Sequence, residues 1–194
     1  MAAHAGPQKR REWVLDAVRR YESPLVRFAQ RLVADEATAR DIVQHAFLRL
    51  CDQSPEDLEN RTAQWLFAVC RNKAVDYLRS RQRAAGASEF ELPCCESREP
   101  DPAAVVERHD LAEHLGRLIA ELPDAQREAI SLWAEGMAYR DIAAVLETTE
   151  GNVRVLMHRA IKRLRQHPMV QKLGVDAASE GTVRAVDAAS EVGI

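Results

Sequence analysis

The stretch from 150 to 165 combines cationic and hydrogen-bonding side chains at helical spacing. These side chains recur at steps of three and four residues and share one face of a predicted helix: Arg154, His158, Lys162 and Arg165. Another face of the same helix is apolar and is predicted to be buried: Val153, Leu156, Ala160 and Leu164. Because the first face presents positive charge and N–H donors to solvent, it is suited to an anionic partner.

The residues ahead of this helix predict a helix-turn-helix. A short apolar helix with Ile142 and Leu146 comes first, and the small Ala143 lets the two backbones approach closely. Thr149 is a predicted N-cap, because its hydroxyl can accept a hydrogen bond from an N–H group of the first turn. In a helix-turn-helix the second helix lies in the major groove of DNA. The alternative is an ordinary helical hairpin with solvated charges, since charged stripes are common on surface helices.

The composition favours an all-α protein that is not inserted in a membrane. Hydrophobic residues make up 46% and charged residues 29%, while aromatic residues are only 5%, and few alternating β-branched runs occur. No apolar run approaches the roughly 20 residues that span a bilayer, and residues 1–11 lack the apolar part of a signal peptide. We therefore expect a cytoplasmic protein. Its net charge of −3 argues against a protein that binds nucleic acid through overall positive charge. Binding would require either an uneven distribution of charge along the chain or a partner protein.

The sequence predicts neither an enzyme nor a cofactor. It contains no Gly-rich phosphate loop after a strand, no nucleophile elbow and no cluster with zinc spacing. Four cysteines occur without a C-x-x-C pair, and the first two are expected to be buried free thiols: Cys51, Cys70, Cys94 and Cys95. A metal site joining the last two to His109 or His114 is the weaker alternative, because tetrahedral zinc requires four well-placed ligands. We therefore expect no bound metal.

Changes in composition divide the chain into two helical blocks. The first block is predicted over 8–83 and the second block over 108–167. Between them, 84–107 is rich in Ala, Glu, Ser and Pro and is predicted to be a flexible acidic linker. The stretch 168–194 contains VDAASE twice and has too few large apolar residues to form a core. We expect this tail to be disordered.

Helical periodicity predicts three successive helices in the first block from Ser23 onward. The first is predicted to begin at Ser23 and Pro24, because proline is favoured at the first helical position. The second has the most regular apolar pattern in the chain: Ala39, Ile42, Val43, Ala46, Phe47 and Leu50. The third follows a polar loop at 54–61 and is predicted to be capped by Thr62.

The third helix has a polar face that is suited to single-stranded nucleic acid. The residues on this face are Asn72, Asp76, Arg79 and Arg83. Trp65 and Phe67 lie near the helix start, and aromatic rings beside arginines can stack on splayed bases. For these two aromatic residues, burial in the core is the stronger interpretation.

Four motifs follow one another along about residues 10–167. They are DIVQHAFLRL at 41–50, WLFAVCRNKAVDYLR at 65–79, LIAELPDAQREAISL at 118–132 and the helix-turn-helix stretch at 138–165. In this order they resemble the extracytoplasmic-function (ECF) sigma factors of the sigma-70 family, the minimal two-domain initiation factors of bacterial RNA polymerase. The resemblance implies two helical domains, region 2 and region 4. It also implies binding to core RNA polymerase and to the minus-10 and minus-35 elements of promoter DNA, with an anti-sigma factor as a candidate further partner.

The resemblance assigns candidate site residues on three surfaces. Those implied to bind core polymerase are Asp41, Gln44, His45 and Leu48. Those implied to capture the minus-10 strand are Asn60, Arg61, Asn72, Asp76 and Arg79. Those implied to recognise the minus-35 element are Thr149, Asn152, Arg154, Val155, His158, Arg159 and Lys162. Because a recognition helix contacts base edges with its N-terminal residues, Arg154 is expected to contact a guanine and Lys162 the phosphate backbone.

The chain departs from the family pattern in three places. The turn of the helix-turn-helix has Glu147 where the family usually has glycine, so a positive φ there would store about 1 kcal/mol of strain. His45 stands where an acid is common, and a neutral imidazole can both donate and accept. The repeated tail has no counterpart in the family. The alternative function is a stand-alone dimeric helix-turn-helix transcriptional regulator, which would need a sensing or dimerising domain.

Overall fold

The structure is a computed structural model that describes residues 7–84, 116–167 and 170. Every regular element within these residues is a helix, which confirms the predicted all-α fold. The linker predicted over 84–107 lies outside the described residues except for Ala84, and so does the predicted tail except for Val170.

Three helices form the first block: α1 spans Pro7–Val33, α2 spans Glu36–Cys51 and α3 spans Thr62–Ala84. The apolar face predicted for α2 is buried, apart from a partly buried Phe47. Phe28 of α1 meets Phe67 of α3 edge to face, with ring centroids 5.4 Å apart, a geometry that adds to the stabilisation from burial. Phe67 is therefore a core residue, and Trp65 packs against the same core with part of its surface exposed.

Helix α1 corrects the helix start predicted at Ser23. It is continuous from Pro7 to Val33 and contains Pro24 in its interior. An interior proline costs about 3 kcal/mol, because it removes one backbone hydrogen bond and crowds the preceding turn. Leu25 and Phe28 after the proline are fully buried, and Ala17 before it belongs to the same core. A single long helix buries both segments at once, and this outweighs the local cost.

The starts of α2 and α3 also differ from expectation. Asp35, which the sequence did not single out as a cap, accepts a hydrogen bond from the backbone N–H of Thr38 at 2.7 Å. Hydrogen bonds from Thr38 hold the pKa of Asp35 below its ordinary value. The capping role predicted for Thr62 is wrong, because Thr62 is the first residue of α3 itself. Its hydroxyl donates to the carbonyl oxygen of Leu58 at 3.2 Å instead of accepting from an N–H group.

Helices also make up the second block. Helical residues at 116–120 are followed by α4 (Asp124–Ala134), α5 (Tyr139–Val145) and α6 (Glu150–Gln166). The buried guanidinium of Arg127 donates to the carbonyl oxygen of Ala120 at 2.9 Å and pairs with Asp124. Because a buried cation needs such partners, Arg127 ties the segment before α4 to the first turn of that helix.

The two blocks pack against each other. Helix α1 contacts α4, α3 contacts α5, and one cluster of buried apolar side chains extends over both blocks. Cys70 lies in this core, and burial raises the pKa of its thiol to about 12. Cys51 is exposed, which corrects the expectation of a second buried thiol; it ends α2 one position beyond the buried Leu50. No helix in the described ranges has the length and apolar character needed to cross a bilayer.

Candidate nucleic-acid and protein interfaces

Local hydrogen bonds hold the first turn of α6. Thr149 Oγ1 accepts from the backbone N–H of Asn152 at 3.2 Å, which confirms Thr149 as the N-cap. The side-chain Nδ2 of Asn152 donates to Thr148 Oγ1 at 3.0 Å. These bonds order the end of the helix that the sequence predicts will contact base edges.

One exposed face of α6 holds the predicted minus-35 residues that follow the cap. We call it the basic face, and its members are Asn152, Arg154, Val155, His158, Arg159 and Lys162. At about 100° per residue they cover somewhat less than half of the helix circumference. The opposite side buries Val153, Met157 and Ala160. Met157 was missed by the apolar pattern, while the predicted Leu156 and Leu164 are only partly buried.

Arg154 is paired within its own helix. Its Nη2 donates to Glu150 Oε1 at 2.7 Å, and the two side chains are 51% and 38% exposed. An exposed i,i+4 pair contributes only about 0.3–0.5 kcal/mol, so the pair with Glu150 is a weak competitor for a contact between the guanidinium and a DNA base. The sequence analysis did not single out Glu150, although its four-residue separation from Arg154 was the available signal.

The turn between α5 and α6 requires a left-handed residue. Glu147 has a φ of 53°, which confirms that the position where the family usually has glycine needs a positive φ. The N–H of Thr148 donates to the carbonyl oxygen of Ala143 at 2.9 Å, and that of Glu147 donates to Ala144 at 3.4 Å. This pair of bonds is the Schellman motif, which ends a helix with one left-handed residue. The chain therefore keeps the sharp turn at a cost of about 1 kcal/mol.

A second polar surface lies on α3. Asn72, Asp76 and Arg79 are exposed and lie four and three residues apart, so they share one face, which we call the α3 face. Their amide, carboxylate and guanidinium groups offer both donors and acceptors. The described structure therefore brings together three of the five residues predicted for the minus-10 strand.

The other two predicted minus-10 residues lie at the opposite end of α3. Asn60 has a φ of 58°, and Arg61 donates from Nη2 to the carbonyl oxygen of Asp57 at 3.2 Å. Asn60 lines a crevice of about 310 Å³ between the two blocks, together with Glu135. Because α3 rises by about 16 Å between Arg61 and Asn72, these five residues do not share one pocket.

A groove of about 440 Å³ lies between α1 and α2. Three residues predicted to bind polymerase line this α1–α2 groove: Asp41, Gln44 and Leu48. The side chain of Leu48 is 61% exposed. The apolar part of the lining comes from both helices: Val14, Val18, Val26, Val43 and Phe47. A groove with an apolar floor and a polar rim is suited to an amphipathic helix.

Sequence reasoning missed one wall of this groove, and one residue of the predicted set lies outside its lining. Val14 and Val18 form part of the α1 wall, and their four-residue spacing was the signal that could have identified it. His45, the fourth predicted polymerase-binding residue, is partly buried and lies outside the groove lining.

The described residues contain no group of three or more His, Cys, Asp or Glu side chains that could hold a metal ion. The alternative metal site with Cys94, Cys95 and His109 or His114 lies outside the described residues.

Two family models match successive parts of the chain. Residues 17–84 match the family Sigma-70 region 2, and residues 112–164 match the family Sigma-70, region 4. The chain is 36% identical over 157 residues to the ECF RNA polymerase sigma factor SigL of Mycobacterium tuberculosis, which covers 78% of this chain and 85% of that protein. It is 27% identical over 147 residues to the ECF RNA polymerase sigma factor SigM of Bacillus subtilis, covering 75% of this chain and 88% of that protein.

Solved structures show the same fold. The sigma factor RpoE from Bartonella quintana, in complex with the anti-sigma factor NepR, superposes with a TM-score of 0.66 at 22% identity, covering 86% of this chain and 99% of that chain. CnrH in complex with the cytosolic domain of CnrY gives a TM-score of 0.57 at 24% identity, covering 86% and 91%. The two family matches identify a two-domain sigma factor. The chain belongs to the ECF RNA polymerase sigma factors.

Proposed function

We propose that the chain binds core RNA polymerase and directs promoter-specific transcription initiation by recognising a minus-10 and a minus-35 element. The basic face of α6 carries this proposal. It is the exposed side of a capped helix that follows a short helix and a tight turn, within the part of the chain that matches region 4. Such a helix fits the major groove, which is about 12 Å wide.

On the basic face, the N-terminal residues are suited to read bases and the later residues to bind phosphates. The guanidinium of Arg154 can donate two hydrogen bonds to O6 and N7 of a guanine. Val155 is 43% exposed, and its apolar side chain is suited to a thymine methyl group. Lys162, two turns further along, is suited to the sugar-phosphate backbone, which positions a protein without specifying sequence.

The α3 face is proposed to bind the melted minus-10 strand. A flipped base is held by hydrogen bonds to its edge and by stacking, which offset the cost of unpairing. Asn72 and Asp76 offer edge contacts, and Arg79 can pair with a phosphate. Asn60 and Arg61 lie about 16 Å away along α3 and would contact a different nucleotide of the strand.

The α1–α2 groove is proposed to bind a helical segment of core polymerase. Its apolar floor would bury one face of that segment, while Asp41 and Gln44 at the rim would fix its orientation by hydrogen bonds. Leu48 is the proposed anchor, because transfer of a large apolar side chain from water contributes about 1.5–3 kcal/mol. His45 would contact the edge of the partner.

We also propose that the protein acts in the cytoplasm by binding alone, with no catalytic step of its own. One solved structure of similar fold holds the sigma factor RpoE in complex with the anti-sigma factor NepR, and another holds CnrH in complex with the cytosolic domain of CnrY. They support an anti-sigma factor as a further partner of this chain.

Run-off transcription with core polymerase and a library of promoter fragments tests the proposal. Transcripts with defined start sites are expected only when the chain is added, and Leu48→Asp should abolish them. Glu12→Gln is the control, because Glu12 is exposed on α1 and does not line the groove. Failure of the parent chain to produce any specific transcript would refute the proposal. The alternative regulator would instead shift a palindromic duplex at physiological salt without polymerase.

A further inference from the structure

A hydrogen bond between two side chains links the turn before α6 to the first turn of that helix. Asn152 is exposed on the basic face, and its Nδ2 donates to Oγ1 of the partly buried Thr148 at 3.0 Å. Thr148 precedes the N-cap Thr149 and is therefore not part of α6. The carboxamide of Asn152 is thus held by a residue outside the helix that carries it.

Backbone hydrogen bonds fix both partners of this pair. The N–H of Thr148 donates to the carbonyl oxygen of Ala143 at 2.9 Å, within the turn that contains the left-handed Glu147. The N–H of Asn152 donates to Oγ1 of Thr149 at 3.2 Å. Shifting either backbone would break one of these bonds and leave a polar group without its partner. The hydroxyl of Thr148 is therefore held at a defined position beside the carboxamide.

The bond to Thr148 determines which polar groups the carboxamide of Asn152 still offers to DNA. A carboxamide has two N–H donors and one acceptor oxygen, and Thr148 uses one of the donors. One N–H and Oδ1 remain. Adenine presents the acceptor N7 and the donor N6 in the major groove, and a carboxamide binds both with one N–H and its oxygen. The remaining groups therefore match adenine.

The same bond disfavours guanine. The major-groove edge of guanine presents two acceptors, N7 and O6. A carboxamide with both N–H groups free could turn its amino group toward these two acceptors. Because Thr148 holds one N–H of Asn152, this alternative orientation would break the bond between the two side chains. The pair therefore favours adenine over guanine more strongly than a free asparagine would.

Asn152 should contact a different base pair from the one that Arg154 contacts. At about 100° per residue, the two side chains lie about 160° apart around α6, at opposite edges of the basic face. Val155 lies about 60° from Asn152 on the same edge, and it is 43% exposed. Its apolar side chain is suited to the methyl group of thymine. This edge of the basic face is therefore suited to A·T base pairs.

We propose that Thr148 is a positioning residue for base recognition, which holds the carboxamide of Asn152 so that it selects an adenine in the minus-35 element. The proposal rests on the proposed function, because it deepens the assignment of the basic face to that element. Thr148 acts through Asn152 and not through its own contact with DNA. Loss of its hydroxyl should therefore reduce discrimination at one base pair, whereas loss of a purely structural residue would weaken binding to all sequences.

Binding of reconstituted holoenzyme to minus-35 fragments, with each base pair substituted in turn, tests this role. The parent should prefer adenine at one position, and Asn152→Ala should lose about 5- to 150-fold in affinity for the preferred fragment and become indifferent to the base there. Thr148→Val removes the hydroxyl and keeps the shape of the side chain. It should reduce the preference for adenine over guanine at that position about two- to tenfold, the effect of one neutral hydrogen bond. Thr148→Ser keeps the hydroxyl and should rescue the preference.

Two further variants connect the effect of Thr148 to the carboxamide. In the Asn152→Ala background, Thr148→Val should cause no further change in base preference, because residues that act through one contact are not additive. Asn152→Asp should shift the preference at the same position toward cytosine, whose N4 amino group donates to a carboxylate. Thermal unfolding followed by circular dichroism checks each variant, and Thr148→Ala replaces Thr148→Val if the valine variant is unfolded.

The possible results distinguish this inference from the proposed function. An unchanged adenine preference in Thr148→Val, or an equal loss of affinity for all fragments, would overturn the positioning role of Thr148. Retention of the adenine preference in Asn152→Ala would overturn the assignment of Asn152 to that base. Absence of any specific transcript with the parent chain would instead refute the proposed function, and this inference with it.

Discussion

Replacing Arg154 by alanine separates base recognition from general attraction to DNA. The guanidinium lies in the second turn of α6 and donates to Glu150 at 2.7 Å. A bidentate contact to a guanine is worth about 1–3 kcal/mol of discrimination, whereas the exposed pair with Glu150 is worth about 0.3–0.5 kcal/mol. The contact to the guanine is therefore stronger than the pair with Glu150. Its loss in Arg154→Ala should weaken binding to the cognate minus-35 element about 5- to 150-fold.

The loss of binding affinity in Arg154→Ala includes a second contribution that does not depend on the DNA sequence. In Arg154→Ala the carboxylate of Glu150 loses its partner and adds repulsion toward phosphate, which weakens all promoters alike. The double variant Glu150→Gln with Arg154→Ala removes this repulsion. The loss of binding affinity that remains is the sequence-specific part. Lys162→Ala is the comparison for a pure phosphate contact, and it should weaken every promoter equally and reduce the salt slope by about one.

The assay is promoter binding by reconstituted holoenzyme to a set of minus-35 variants with each base pair substituted in turn. Preference at one or two base pairs should become flat in both Arg154 variants and remain in Lys162→Ala. A uniform loss over all minus-35 variants in the double variant would refute the assignment of Arg154 to base recognition. The basic face would then act through charge alone.

Three further outcomes are expected. Asp41→Lys combined with Gln44→Ala should weaken core polymerase binding in a fluorescence titration while changing the unfolding free energy by no more than about 0.5 kcal/mol. Unchanged affinity would show that the rim of the α1–α2 groove does not contact core polymerase. Glu147→Gly should raise the unfolding free energy in urea by about 0.5–1 kcal/mol, because glycine adopts a positive φ without strain. A lower unfolding free energy would contradict the claim that Glu147 is strained. Hydrogen bonds from Thr38 lower the pKa of Asp35 from its ordinary 3.8, so its contribution to stability is present at neutral pH and is lost as the pH falls from about 4 through the lowered pKa. Asp35→Asn should remove that part of the acid dependence, and identical urea midpoints for both proteins at each pH would count against it.

Features set by neighbours along the chain could be predicted from the sequence. The apolar face of α2 follows from spacing alone, and five of its six predicted residues are buried. The cap at Thr149 follows from the bonding needs of helix ends, whereas the positive φ at Glu147 was expected from the glycine that the family usually has at this position. The exposed members of the basic face were predictable for the same reason, since a buried stripe fixes the direction of the opposite side.

Features set by distant parts of the chain could not be predicted in this way. The continuity of α1 through Pro24 depends on packing against α2 and α3. The helix propensities of the residues around Pro24 contain no information about that packing. The pairing of Glu135 with Arg27 joins residues 108 positions apart, and neither residue stands out by spacing or type. From the sequence, Glu135 is expected to be an ordinary exposed polar residue after a helix. It is buried because the two blocks pack against each other.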